Sequence, residues 1–165
     1  MINSAGCIFS NGSVILSGWQ QKNNKYIISG IGGNCIGNEL IETTAIRETI
    51  EELFNVDNVD NNLIQEIITN VCPNQIIING TYGILVYDFD HLEKILAIIN
   101  KYNLHSDLYQ NFPQTINDLI FKRINNTKAE IQTLCLLPVN REIVLDKYFL
   151  LDIQILCDLI TKKTN

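Results

Sequence analysis

Residues 33–55 read "GNCIGNELIETTAIRETIEELFN" and place five glutamates and one arginine in twenty-three positions. A run of Glu is ordinarily a solvated helix face, so spacing has to decide whether this one is more. From about Leu40 to Phe54 the apolar residues Ile41, Ala45, Ile46, Ile50, Leu53 and Phe54 recur at helical spacing, which predicts an amphipathic helix with one acidic face. Glu48, Glu51 and Glu52 then stand at i, i+3 and i+4 and project from one side. Like charges so placed repel by about a few tenths of a kcal/mol per exposed pair, and by more when partly buried. Arg47 is the only base in the segment and cannot balance them. Oxygen-only donors without His or Cys favour a hard cation, Mg²⁺ or Mn²⁺, over zinc. Mg²⁺ is typically held by a few carboxylates together with substrate phosphates, so the cluster points to phosphate-ester or pyrophosphate chemistry.

The segment resembles the Nudix box: Gly, five residues, Glu, seven residues, Arg-Glu, an aliphatic, any residue, Glu-Glu, any residue, Gly, aliphatic. Gly33, Glu39, Arg47, Glu48, Glu51 and Glu52 fall in register with its fixed positions. At average residue usage six such matches arise by chance about once in 10⁷ start points. Thr49 stands where an aliphatic is usual, Phe54 replaces the final Gly and Asn55 the last aliphatic. Asn55 tolerates the left-handed conformation that the Gly would supply, one residue later. Upstream, Tyr26 and Gly32-Gly33 fit the family's aromatic-Pro-Gly-Gly stretch, with Ile31 in place of Pro. The resemblance implies that Gly33 offers a backbone carbonyl to a metal and that Glu48, Glu51 and Glu52 form the carboxylate cluster. Glu48 would ligate metal or accept a proton from the attacking water, and Arg47 would orient the glutamates. Glu39 is expected to shape the loop, and Glu42, outside the motif, to lie on the surface. Decapping members carry a Lys-x-Glu-Ile segment leading into a late strand; Lys128, Glu130 and Ile131 resemble it, which makes Glu130 a second catalytic candidate.

The rest of the chain predicts a mixed α/β (α+β) architecture, a β-sheet sandwiched between helices. "AGCIFS" and "SVILSGW" flank Asn11-Gly12 and read as a hairpin with a type I′ turn. "LIQEIITNV" (63–71) and "IIINGTYGILVYDF" (76–89), the latter with a turn at Asn79-Gly80, read as strands. A helical insertion is expected at about 90–125, its first helix capped by Asp90 and its second starting near Pro113. Residues 128–139 return to strand composition, and the apolar stretch 145–163 closes as a core helix or dimer surface. "GIGGNCIG" offers no proper GxGxxG, which argues against Rossmann-type dinucleotide binding.

With 165 residues, 46% of them hydrophobic, the chain is expected to form one domain over 1–165. No stretch reaches the roughly 18 apolar residues of a membrane span, so a soluble, cytoplasmic protein is expected, as a monomer or homodimer. Five scattered cysteines without a CxxC pair fit small core residues in a reducing compartment better than disulfides or zinc. A net charge of −6 argues against broad nucleic-acid binding. His91 and His105 read as surface residues, and Trp19, Lys22 and Lys25 have equally good structural explanations. The expected function is hydrolysis of a pyrophosphate bond in a small nucleoside diphosphate derivative, such as a nucleoside triphosphate or a dinucleotide, with Mg²⁺ or Mn²⁺. The alternatives are decapping of mRNA, with Lys122, Arg123 and Lys128 as a basic patch for capped RNA, and a catalytically silent domain that binds a nucleotide or a partner.

Overall fold

A computed structural model describes residues 2–22 and 25–139. The segment 145–163, Cys157 and the side chains of Lys22, Lys25 and Tyr26 lie outside what is described. The described elements are β1 (Ser4–Phe9), β2 (Val14–Lys22), β3 (Lys25–Ser29), β4 (Ile31–Asn34), α1 (Ile41–Phe54), α2 (Asn61–Asn70), β5 (Gln75–Asn79), β6 (Tyr82–Tyr87), α3 (Phe89–Lys101), α4 (Ile116–Phe121) and β7 (Thr133–Pro138). They form a mixed α+β structure with two sheets. One is four-stranded, in the order β4-β1-β6-β5, and the other three-stranded, β3-β2-β7. Only the β1–β6 pairing is parallel.

The interior position of β1 follows from its residues. Ala5, Cys7 and Phe9 point into the main core with α1, while Ile8 on the other face joins Ile15, Ile84, Val86 and Leu137 between the sheets. Phe9 is the register partner of Tyr87 and stacks on it at 5.6 Å. Both edges of β1 are hydrogen-bonded, to β4 and to β6, which leaves no edge for the expected N-terminal hairpin. Asn11 and Gly12 do turn the chain, with Gly12 at φ +86° and Asn11 Oδ1 accepting from the Ser13 and Val14 amides. Asn11 itself is not at positive φ, so the turn is not type I′. Beyond a single bridge between Ser10 and Ile15, β1 and β2 part into different sheets.

Residues 63–71 correct a second expectation, because most of that segment lies in α2 and not in a strand. The β-branched composition pointed one way and the spacing the other: Leu63, Ile64 and Ile67 recur at helical intervals and are buried, and Asp60 caps the helix by accepting from the Asn62 amide. The cap of α3 is Asp88, two residues before Asp90, with its carboxylate accepting from the His91 amide at 2.8 Å. Around Asn79-Gly80, β5 and β6 pair antiparallel, as expected, with Gly80 at φ +62°. The helices expected at about 90–125 are present as α3 and α4, and they contribute to the core. Leu92, Ile95, Leu96 and Ile99 of α3 and Ile116 and Leu119 of α4 join the residues of α1 and α2 in one cluster. Of the four cysteines described, only Cys7 is a core residue; Cys72 is exposed and Cys35 and Cys135 are half-buried. Burial pushes the Cys7 thiol up to about 12. Among the described residues no helix is long and apolar enough to cross a membrane.

Candidate functional site

The acidic helix is held at both ends by contacts that its own sequence provides. Leu40 caps the start through its backbone, and Asn55 ends the helix in the left-handed conformation, φ 52° and ψ 52°, with its amide donating to the Glu51 carbonyl. The missing box glycine is thereby replaced one position later, and Phe54 is free to serve the core. It is fully buried and stacks on Phe112 at 5.0 Å. Thr49, in place of an aliphatic, donates its hydroxyl to the Ala45 carbonyl at 2.7 Å, so its burial leaves no unpaired polar group.

Arg47 is the hub of the site. Its Nε and Nη2 donate to the two oxygens of Glu39 at 3.0 Å each, Nη1 donates to Glu48 at 2.8 Å and Glu51 at 2.7 Å, and Nη2 also reaches the Asn34 carbonyl at 2.7 Å. Glu39 in turn accepts from the Ile36 amide and the Thr44 hydroxyl, which gives it the loop-shaping place expected of it. Glu42, expected on the surface, is half-buried in the first turn of α1. Glu48 and Glu51 each keep one oxygen outside the Arg47 contacts. Glu52 makes no contact with Arg47; it is buried and accepts from the Gly32 amide at 2.8 Å.

β4 is shaped to admit these side chains. Gly32, at φ +153°, opposes Gly6 of β1, and a Cβ on it would come within 2.5 Å of the Gly6 Cα. A Cβ on Gly33 would fall on the carboxylate of Glu48. Gly33 is therefore required by contact with a site carboxylate, whatever its carbonyl binds. Gly33→Ala is expected to displace Glu48 and lower turnover by about 10²-fold. Steady-state kinetics beside a thermal melt would check this, and full activity in the folded variant would refute it.

The electrostatics separate the carboxyls. Burial, followed by the nearby charges of Glu130, Glu48 and Glu51, holds Glu52 well above the ordinary carboxylate value, against the Gly32 hydrogen bond. Burial also raises Glu48, and the Arg47 contacts only partly offset it. For Glu39 burial acts in the same direction, but the hydrogen bonds from Arg47, Ile36 and Thr44 prevail and its carboxyl lies below the ordinary value. Arg47 is also desolvated, yet its glutamate partners raise it further above its ordinary value.

Glu48, Glu51 and Glu52 share one open cleft of about 150 Å³ with Asn55, Val56, Asp57 and Glu130. The downstream candidate Glu130 thus meets the acidic face of α1, from the loop before β7. Among the described residues no group of three or more His, Cys, Asp or Glu side chains is placed to hold a metal ion as it stands. The donor set nevertheless suits a hard cation, because four carboxylates face one cleft and a single guanidinium ion-pairs with two of them. Of the metal ligands expected from the sequence, Glu48, Glu51 and Glu52 line this cleft, and Gly33 does not line it. Asp57 was missed by the sequence reading; it follows the left-handed Asn55 in a turn where no periodicity marks it. Trp19 is exposed on β2 and does not line the cleft. His91 lies 3.0 Å from Asp88 at the start of α3, and His105 is exposed.

Of the basic patch expected at 122–128, Lys122 and Lys128 are exposed and Arg123 is withdrawn from the surface. Lys122 pairs with Asp118 at 2.7 Å, and Arg123 turns inward to backbone carbonyls.

No protein-family model and no curated protein matches the chain significantly. Among solved structures, a NUDIX-family hydrolase from Clostridium perfringens aligns over 97% of this chain and 99% of its own, at 13% identity and a TM-score of 0.41. A bifunctional NMN adenylyltransferase/ADP ribose pyrophosphatase from Francisella tularensis, complexed with AMP and a manganese ion, aligns over 96% of this chain and 37% of its own. Its identity is 14% and its TM-score 0.42. Likeness at this level carries no weight for activity or substrate in this chain.

Proposed function

We propose that the chain is a single-domain Nudix-type hydrolase that cleaves a pyrophosphate bond in a small nucleoside diphosphate derivative, with Mg²⁺ or Mn²⁺ as cofactor. The observation that carries this reading is the convergence of Glu48, Glu51 and Glu52 from α1 with Glu130 from the loop before β7 on one cleft. Gly33, Glu48, Glu51 and Glu52 would hold the cation, which supplies charge compensation at phosphoryl oxygens and a more acidic water.

The remaining work falls to the chain's own groups. Arg47 fixes the directions of Glu48 and Glu51 through one shared nitrogen, so that neither carboxylate has to be ordered at the moment of reaction. Glu48, half-buried and raised above the ordinary carboxylate value, is suited to take a proton from attacking water, because a base nearer the working pH is more effective. Glu130, exposed at the cleft's other wall, is the second proton acceptor or donor. Glu52, tied to Gly32, would supply a buried negative charge once it gives up, on cation binding, the proton that its burial favours.

A small nucleotide fits better than capped RNA. The cleft is acidic, and of the basic residues that precede Glu130, Arg123 is turned inward and Lys122 pairs with Asp118, which leaves Lys128 as the exposed cation beside it. Phosphate or nucleotide release across a panel of nucleoside triphosphates, dinucleotides and capped RNA, with and without Mg²⁺, tests the proposal. Metal-dependent hydrolysis of a small nucleotide is expected. Cleavage of capped RNA alone, with binding that falls steeply with salt, would establish the decapping alternative. No metal-dependent hydrolysis of any compound would leave a silent binding domain.

A further inference from the structure

Arg123 lies outside the box and outside the cleft, yet it contacts both elements that bring carboxylates to the site. Its Nη1 donates to the Leu53 carbonyl at 2.5 Å and to the Tyr109 hydroxyl at 3.0 Å. Its Nη2 donates to the Glu52 carbonyl at 3.2 Å and to the Ile131 carbonyl at 2.6 Å. The guanidinium carbon also sits 5.8 Å from the centre of the Tyr109 ring.

The last carbonyls of a helix run out of amide partners within it; in α1 the ordinary ladder closes on Glu51, and the three carbonyls after it are satisfied by side chains. Asn55 and Val56 amides take Glu51, Arg123 takes Glu52 and Leu53, and the Ser106 hydroxyl takes Phe54. A cation at this end also suits the helix dipole. The same guanidinium holds the carbonyl of Ile131, the residue after Glu130. One planar group therefore joins the backbone under Glu52 to the backbone beside Glu130, without pairing with either carboxylate. An ion pair there would cancel the charge that the cleft presents, whereas carbonyl contacts leave it whole.

We propose that Arg123 is a positioning residue that sets the spacing between the α1 carboxylates and Glu130, and so the cation affinity of the cleft. This inference rests on the metal-dependent reading given above. A lysine cannot replace it in full, because one ammonium cannot span three carbonyls on two elements as a fork of two nitrogens does.

The test is a Mn²⁺ titration of the metal-free protein, read by electron paramagnetic resonance, on wild type, Arg123→Met, Arg123→Lys and a Lys122→Ala control. Each variant is also followed by thermal melting and by amide hydrogen exchange without metal. Folded Arg123→Met is expected to bind Mn²⁺ about 10-fold or more weakly, as loss of an outer-shell partner commonly does. Arg123→Lys should recover part of the loss, and Lys122→Ala should match wild type. Exchange should quicken in Arg123→Met at residues 53–56 and 131–133 together, with β1 amides unchanged. Wild-type Mn²⁺ affinity in a folded Arg123→Met overturns the proposal, and where that variant does not fold, wild-type affinity in Arg123→Lys does so. Failure of the wild-type protein to bind Mn²⁺ refutes the metal reading itself. The link is then judged by exchange alone, and unchanged exchange at both segments refutes it.

Discussion

Glu52→Gln should lower turnover by about 10³-fold while leaving the protein folded, within the range that removal of a positioned carboxylate commonly produces. The amide keeps an oxygen to accept from Gly32, so the contact at 2.8 Å can persist while the charge is lost. The same substitution has a signature without substrate. Glu52 is raised well above its ordinary value of 4.5 by burial and then by Glu130, so the folded state holds a proton more tightly than the unfolded state does. Its contribution to stability is complete below the ordinary value and is lost as pH rises through the raised folded value. The metal-free protein should therefore melt at a lower temperature as pH rises above the ordinary carboxylate value, and added Mg²⁺ should restore most of the loss at the upper end. Glu39, whose carboxyl is lowered, acts in the opposite sense and only below that window. In Glu52→Gln most of the slope should disappear, with the smaller effect of Glu48 remaining. Retained activity at saturating metal, or an unchanged slope, would sink the assignment of this residue.

The second large effect is structural and runs against the motif. Phe54→Gly would restore the usual box residue, and is expected to cost about 4 kcal/mol or more, since burial of a core Phe is lost and Gly is a poor helix former. Phe54 is completely buried, stacks on Phe112 and lies 5.7 Å from Tyr109 at a tilt. That loss is a large part of the roughly 5–15 kcal/mol by which a domain of this kind is stable. Urea unfolding of the variant beside wild type measures it, and a loss below about 1 kcal/mol would show that the aromatic cluster does not depend on this ring. Asn55→Gly, at the residue that actually turns left-handed, should by contrast change stability by only about 0.5 kcal/mol.

The two substitutions show why parts of the site were legible in sequence and others were not. Glu48, Glu51 and Glu52 were readable because helical spacing alone puts them on one side, and Asn55 because its tolerance of positive φ made it the available stop. The helix α1 itself followed from its apolar period. The segment 63–71 was misread because Ile and Thr favour strands locally, while burial of Leu63, Ile64 and Ile67 against neighbouring helices decided the outcome. Pairing of β1 with β4 and β6 depends on which strands need covering on two faces, and a local turn at Asn11-Gly12 carries no such information. Arg123 left no trace either. A guanidinium in a polar stretch looks like surface charge until the carbonyls it reaches, about seventy residues back in α1, are brought beside it.

The parallel pairing of β1 with β6 also bears on the order in which the molecule assembles. Between the two strands lie β2, β3, β4, α1, α2 and β5, so the ladder from Ser4–Tyr82 to Phe9–Tyr87 closes a long loop. The entropy of that closure has to be overcome before the ladder's hydrogen bonds form, which places it among the slow steps of folding. Glu130 lies further along the chain and joins the other glutamates only after β7 has paired with β2. The charge of Glu130 is thus added late, and the nascent helix has to bear only the repulsion among its own glutamates.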